Sequence, residues 1–137
     1  QIVFCVSKDH QLAQKESVTT QEMSKEKLIF FNADSVLNQL LKLRFELDDC
    51  KPSIIMKSSQ IYTTLQFLKS KKYGCFFYSC MTDKFSDVVG IPLATPIRVK
   101  IGMVWKKGKY ISNDMQTFLN FTKSYYKKHP LIAERNP

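Results

Sequence analysis

Glycine is scarce in this chain, and its scarcity removes a class of chemistry. The four glycines, Gly74, Gly90, Gly102 and Gly108, are too dispersed to build a loop that cradles phosphates. The Walker and dinucleotide-binding fingerprints are therefore excluded. Histidine is scarcer still. His10 and His129 stand at opposite ends of the chain, in neither an H-E-x-x-H nor a finger-like spacing, so no metal site and no cofactor are expected. The four cysteines, Cys5, Cys50, Cys75 and Cys80, form no CxxC pair. No apolar run approaches the roughly 18–20 residues that span a bilayer, and the opening residues carry no signal-peptide pattern. On this reading no membrane partner is expected, and the cysteines are reduced in a cytoplasmic protein. A secreted disulfide scaffold is the alternative that an even cysteine count keeps open.

What is present suits one globular domain. The chain has 137 residues, 44% apolar and 24% charged, and a chain of this length buries roughly 68% of its unfolded surface without staples. The net charge of +9 comes from 18 Lys and 3 Arg against 12 acids. Lysines neutralise phosphates and release counterions. These lysines, however, are spread along the whole length, with small clusters at Lys71–Lys72, Lys106–Lys107–Lys109 and Lys127–Lys128. Arginine, which supplies bidentate contacts on a dedicated nucleic-acid surface, is rare. A Lys-rich solvated surface is the leading reading, and a nucleic-acid-binding module stays as an alternative.

Strand and helix periods alternate. Ile2–Ser7 reads as a buried strand that starts without a lead-in, as in a piece of a longer chain. Thr19-Thr20-Gln21-Glu22 has capping-box spacing for one short helix. Leu28–Phe31 is a strand. Asp34 or Ser35 then caps a helix carrying Val36, Leu37, Leu40, Leu41 and Phe45, which ends before Pro52. Ser53–Lys57 is a strand, and Ser58–Ser59 caps a helix with Ile61, Leu65 and Leu68. That helix stops at Lys71–Lys72 before Gly74, a cation-then-glycine ending. Cys75–Tyr78, Ile91–Leu93 and Arg98–Trp105 are further strands. Ser112 opens a last helix with Met115, Phe118, Leu119, Thr122 and Tyr125 on one face, and Glu134–Pro137 reads as a frayed end.

Strands alternating with helices mean βαβ units, an α/β fold with a mixed, mostly parallel sheet flanked by helices. Right-handed crossovers bring the strand ends and the following helix starts to one sheet edge. Two helix starts converge there, Asn32-Ala33-Asp34-Ser35 and Lys57-Ser58-Ser59-Gln60. Each offers unpaired N–H groups with short hydroxyl or amide side chains, which suits a small ligand or serves only as caps. No catalytic residue is assigned. Cys75, Cys80, Ser79 and Lys57 lack a nearby histidine, and Asp48–Asp49 and Asp83–Asp87 read as helix-end or turn residues.

Several segments, in order, carry a family resemblance. Val6-Ser7-Lys8-Asp9-His10 with Leu12-Ala13 looks like a hinge strand entering an "HPLA"-type loop, with Gln11 in place of Pro. Ser58 to Tyr78 follows as strand–helix, with Ser59, Thr64 and Gly74 in step. Last comes Arg98-Val99-Lys100-Ile101-Gly102-Met103-Val104-Trp105-Lys106-Lys107-Gly108-x-Tyr110-x-Ser112. The whole resembles the effector-binding domain of LysR-type bacterial transcriptional regulators, a fold similar to type II periplasmic binding proteins, here covering about the latter two-thirds.

The resemblance implies a first crossing strand over 1–9, a second effector-binding subdomain over 10–89, a returning strand over 90–97, and the C-terminal part of the first subdomain over 98–137. It implies a small-molecule effector held by Asn32, Ala33, Asp34, Ser35, Ser58, Ser59 and Gln60, and a shift of the regulator between two states. It further implies homo-oligomers that use Ile54, Tyr62 and Phe67, and DNA contact only through a helix-turn-helix domain absent from this chain. An extracytoplasmic solute-binding protein of the same fold is the alternative. Ile101, Met103, Trp105, Phe118 and Leu119 are expected to leave an exposed apolar patch.

Overall fold

The computed structural model describes residues 1–130, so the expectation for Glu134–Pro137 lies outside the described residues. The chain forms two compact units, Gln1–Val99 and a second that begins at Lys100. The first holds β1 (Ile2–Ser7), α1 (Thr20–Ser24), β2 (Lys27–Phe30), α2 (Val36–Leu47), β3 (Ser53–Lys57), α3 (Ile61–Leu68), β4 (Tyr73–Tyr78), α4 (Ser79–Thr82) and β5 (Val88–Pro92). The second holds α5 (Asn113–Lys128).

The five strands form one sheet in the order β3-β2-β4-β1-β5. β2 runs parallel to β3 and β4, while β1 is antiparallel to β4 and β5. Four strands thus share one direction and β1 alone opposes them. Because β1 sits between β4 and β5, two of the four pairings are antiparallel. The sheet is mixed for that single reason.

Period-two alternation divides the core between the two faces. Ile2, Phe4, Val6, Leu28, Phe30 and Phe76 join one cluster, covered by Met23 of α1 and by Leu37, Leu41 and Phe45 of α2. Val3, Cys5, Ile29, Cys75 and Phe77 join the other, with Leu68 of α3. β1 is buried at all six positions, as a strand flanked on both sides and covered on both faces must be. Edge strand β3 alternates exposed and half-buried residues instead.

The helix signals act unevenly. Thr19 and Glu22 form the full capping box of α1, and Ser112 caps α5 by accepting from the Met115 N–H. Ser35 occupies the N-cap position of α2 without a side-chain cap bond. The N-cap of α3 is Gln60, not Ser58 or Ser59. The Ser58 hydroxyl is already spent on the Gln60 N–H at 3.1 Å, so the helix starts later. The left-handed residue after α3 is Lys71, with φ 62°. Gly74 instead lies inside β4, beneath the Phe4 ring.

Arg98–Trp105 is not a strand. An extended segment needs a neighbour for its N–H and C=O groups, and it pairs with no strand among the described residues. In the second unit Ile101, Met103, Trp105 and Phe118 are exposed, as expected, whereas Leu119 is buried. Lys127 and Lys128 occupy the last turn of α5, where cations complement the helix dipole.

Candidate functional site

The reversed direction of β1 decides what gathers at one sheet edge. The C-terminal ends of β2, β3, β4 and β5 meet there with the N-terminal end of β1, as the pairing of Ile2 with Tyr78 and of Val3 with Pro92 requires. The chain leaves β2 into Asn32–Ser35 and leaves β3 into Ser58–Gln60. Both segments therefore sit on this edge, next to one another.

The geometry joins them. The Ser58 N–H donates to the Phe30 carbonyl at 2.9 Å, which carries the β2–β3 pairing past the strand ends. The Asn32 side-chain amide donates to the Ser59 hydroxyl at 3.4 Å. The Ser35 N–H donates to the Asn32 carbonyl at 3.1 Å, closing the turn that leads into α2. Gln60 is held from its other side, its side-chain oxygen accepting from the Thr63 hydroxyl at 3.1 Å. The Thr64 hydroxyl donates to the Gln60 carbonyl at 3.1 Å.

Neither α2 nor α3 has a side-chain cap bond, and neither has an acidic residue in its first turn. Their leading N–H groups remain available, and a helix start of this kind attracts an anion or a polar acceptor. Asn32, Ala33, Asp34, Ser59 and Gln60 are exposed, while Ser35 and Ser58 are half-buried. Hydroxyls, an amide and helix N–H groups are chemically suited to orienting a polar ligand. None of them is a positioned nucleophile–base pair.

The sequence reading weighed Ser79 only as a nucleophile and not as part of this edge, where it follows β4. Its N–H donates to the Gln1 carbonyl at 2.9 Å. The signal was available, because Ser79 follows its strand as Ser58 follows β3. His10 lies in the loop after β1, as the reading of His10 at the entry to an "HPLA"-type loop expects, and it is buried there. Its Nδ1 accepts from the Leu12 N–H at 3.2 Å and its Nε2 lies 3.4 Å from Glu26, so it holds the loop after β1.

Two cavities lie elsewhere in the first unit. One, of about 170 Å³, is walled by Val18, Thr20, Arg44, Asp48, Leu93 and Thr95. The other, of about 290 Å³, lies among Ser7, Lys8, Asp9, Lys69, Lys71 and Asp87. The seven site residues line neither, since they form an open edge. Lys71 is ion-paired with Asp9 at 2.6 Å, and this lysine holds the Asp9 carboxyl below its ordinary value, by hydrogen bond first and charge second. Among the described residues no cluster of three potential metal ligands occurs, and no helix is long and apolar enough to cross a membrane.

The three residues singled out for association differ. Tyr62 is 84% exposed. Phe67 is partly exposed, with its ring edge-on to Tyr73 at 5.7 Å. Ile54 is half-buried against the core cluster of the α2 face. Edge strand β3 adds exposed Ile55, and α2 adds Leu43 and Leu47, which the sequence reading did not single out.

Comparison with known proteins places this geometry in context. A family model described as the LysR substrate binding domain matches residues 1–127. Two HTH-type transcriptional regulators of Bacillus subtilis (strain 168) are similar: YybE, 25% identical over 122 residues, and YwbI, 27% identical over 128 residues. These matches cover 88% and 90% of this chain but 42% of each regulator, so the chain spans about two-fifths of the length of these relatives. Among solved structures, the Synechocystis PCC6803 CcmR regulatory domain in complex with 2-PG has a TM-score of 0.75 at 16% identity, covering 92% of this chain and 62% of that one. The effector-binding domain of QuiR in complex with shikimate has a TM-score of 0.69 at 21% identity, covering 94% and 62%. These structures share the fold.

Proposed function

The chain belongs to the LysR substrate binding domain family, and on that premise we propose that it senses a small-molecule effector at the edge built by Asn32, Ala33, Asp34, Ser35, Ser58, Ser59 and Gln60. One observation carries this reading. Two helix starts without side-chain caps, at Ser35 and Gln60, lie side by side and are linked by the Asn32–Ser59 hydrogen bond. Such an arrangement suits a carboxylate or another compact acceptor group, and the Asp34 carboxyl either turns away as a cap or meets an amine on the same effector. QuiR with shikimate and CcmR with 2-PG, both of this fold, support the size class.

The mechanism is a population shift. An effector that binds one arrangement of the regulator more tightly than another moves the equilibrium by its differential affinity, and the output is transcriptional control rather than catalysis. In this reading β1 and the segment 90–97 are the crossing connections, residues 10–89 form the second subdomain, and residues from 98 onward complete the first. DNA is contacted through a helix-turn-helix domain outside this chain. The regulator is cytoplasmic and assembles as a homo-oligomer through the face that carries Ile54, Tyr62 and Phe67.

Thermal-shift screening of the full-length regulator against carboxylates, sugar acids and amino acids tests the reading, since a ligand that selects the folded form raises the melting point. A saturating shift that weakens about tenfold in Kd, roughly 1.4 kcal/mol, on Ser59→Ala or Ser35→Ala is expected. A ligand whose shift ignores both substitutions would place the site elsewhere.

A further inference from the structure

Cys5 and Cys75 stand directly opposite one another on β1 and β4. Both are free thiols, and both are buried in the core cluster that also holds Val3, Ile29 and Phe77. Residues opposed in an antiparallel pair have Cβ atoms about 4.5–5.5 Å apart, and a disulfide needs about 3.5–4.5 Å, so a small strand adjustment suffices. Cys50, after α2, and Cys80, in α4, lie on other elements and are half-buried. The effector reading uses neither Cys5 nor Cys75.

We propose that Cys5 and Cys75 form a latent redox pair, which a two-electron oxidant such as hydrogen peroxide converts to an intrachain cross-strand disulfide. The balance is simple. One thiolate attacks peroxide, giving a sulfenic acid and water. The second thiol displaces hydroxide from that sulfur, forming the S–S bond and a second water. Two sulfurs are oxidised by one electron each, and the two peroxide oxygens are reduced.

Burial governs the rate. It is the first cause that pushes the Cys75 thiol well above its ordinary range, and the neighbouring Cys5 adds to it. Only the thiolate attacks, so closure is slow in the folded sheet and follows local opening of β1 from β4. The bond would tie together the two strands whose ends meet at the candidate edge, where the Ser79 N–H reaches the Gln1 carbonyl. An oxidised chain would hold that end of the edge more rigidly.

The test uses the folded chain carrying Cys50→Ser and Cys80→Ser, which leaves only the pair. It is incubated with millimolar hydrogen peroxide for hours, quenched with iodoacetamide in guanidinium and digested with trypsin. The expected result is a dithiothreitol-reversible link between the peptides Gln1–Lys8 and Tyr73–Lys84 in a monomeric chain, a raised melting temperature, and faster closure in sub-denaturing urea. The same linkage mapped by fragmentation in the wild-type chain serves if the double variant folds poorly. Thiols that stay alkylatable, links between chains, or sulfinic acid in place of the bridge would overturn the proposal.

Discussion

The ring of Phe4 on β1 occupies the space that a β-carbon on Gly74 of β4 would need. Gly74 is buried in its strand and the ring is itself fully buried, so neither partner can step aside into solvent. The glycine is required by a close approach rather than by a left-handed backbone. Gly74→Ala should destabilise the first unit by about 1–3 kcal/mol through overpacking, read as a lower urea midpoint with unchanged slope. An unchanged midpoint would mean that the ring relocates freely.

Phe76 is the hub of the aromatic core. It meets Phe4 at 5.4 Å and Phe30 edge-on at 5.4 Å, while Phe30 also meets Phe45 at 6.1 Å. Phe76→Ala should cost about 3–5 kcal/mol, a large share of a domain's roughly 5–15 kcal/mol. Tyr62→Ser, on the exposed face of α3, should stay within about 0.5 kcal/mol. Its effect belongs in sedimentation rather than in the melting curve, as weakened self-association if that face joins copies.

Asn38 faces the core from the first turn of α2, fully buried, with neither its amide nitrogen nor its oxygen bonded to a protein partner. An unpaired buried polar group costs about 1–3 kcal/mol. Asn38→Leu has similar bulk and no polar atoms, so chemical denaturation should show a gain of about 1–3 kcal/mol. Lower stability would reveal that the amide has a bonding partner in solution.

Glu22 holds the capping box of α1 and pairs with Lys15. The Lys15 ammonium first, and then the Thr19 N–H, bring its carboxyl from an ordinary 4.5 down to about 2. A depressed carboxyl gives stability that is fully present above the ordinary value and is lost as pH falls through the folded one. The stability attributable to Glu22 should therefore fade between about pH 4.5 and pH 2. Glu22→Gln should flatten that part of the pH–stability curve. A curve identical to that of the wild-type chain would show that the pair is loose in solution.

Much of this fold was legible because local chemistry and tertiary packing agree. The capping box at Thr19, the hydroxyl cap at Ser112 and the apolar spacing of Leu37, Leu41 and Phe45 each act within a few residues, so pattern alone locates them. The α3 start was misplaced because Ser58 has two local uses for one hydroxyl, and the turn to the Gln60 N–H takes it. Arg98–Trp105 was misread as a strand because β-branched and aromatic residues report the capacity to pair, not the presence of a neighbour.

The candidate edge was legible in part. That Asn32–Ser35 and Ser58–Gln60 follow two parallel strands is written in the alternation of periods. That Ser79 shares their edge, and that β1 enters from that side against the other four strands, is not, since strand order and direction depend on pairing between segments far apart in the chain. Composition and periodicity determined the α/β class, the two helix starts and the absence of nucleotide-binding loops. Tertiary structure alone decided which residues oppose one another: Cys5 and Cys75 are separated by most of the first unit in sequence, and only the register of two antiparallel strands brings them together.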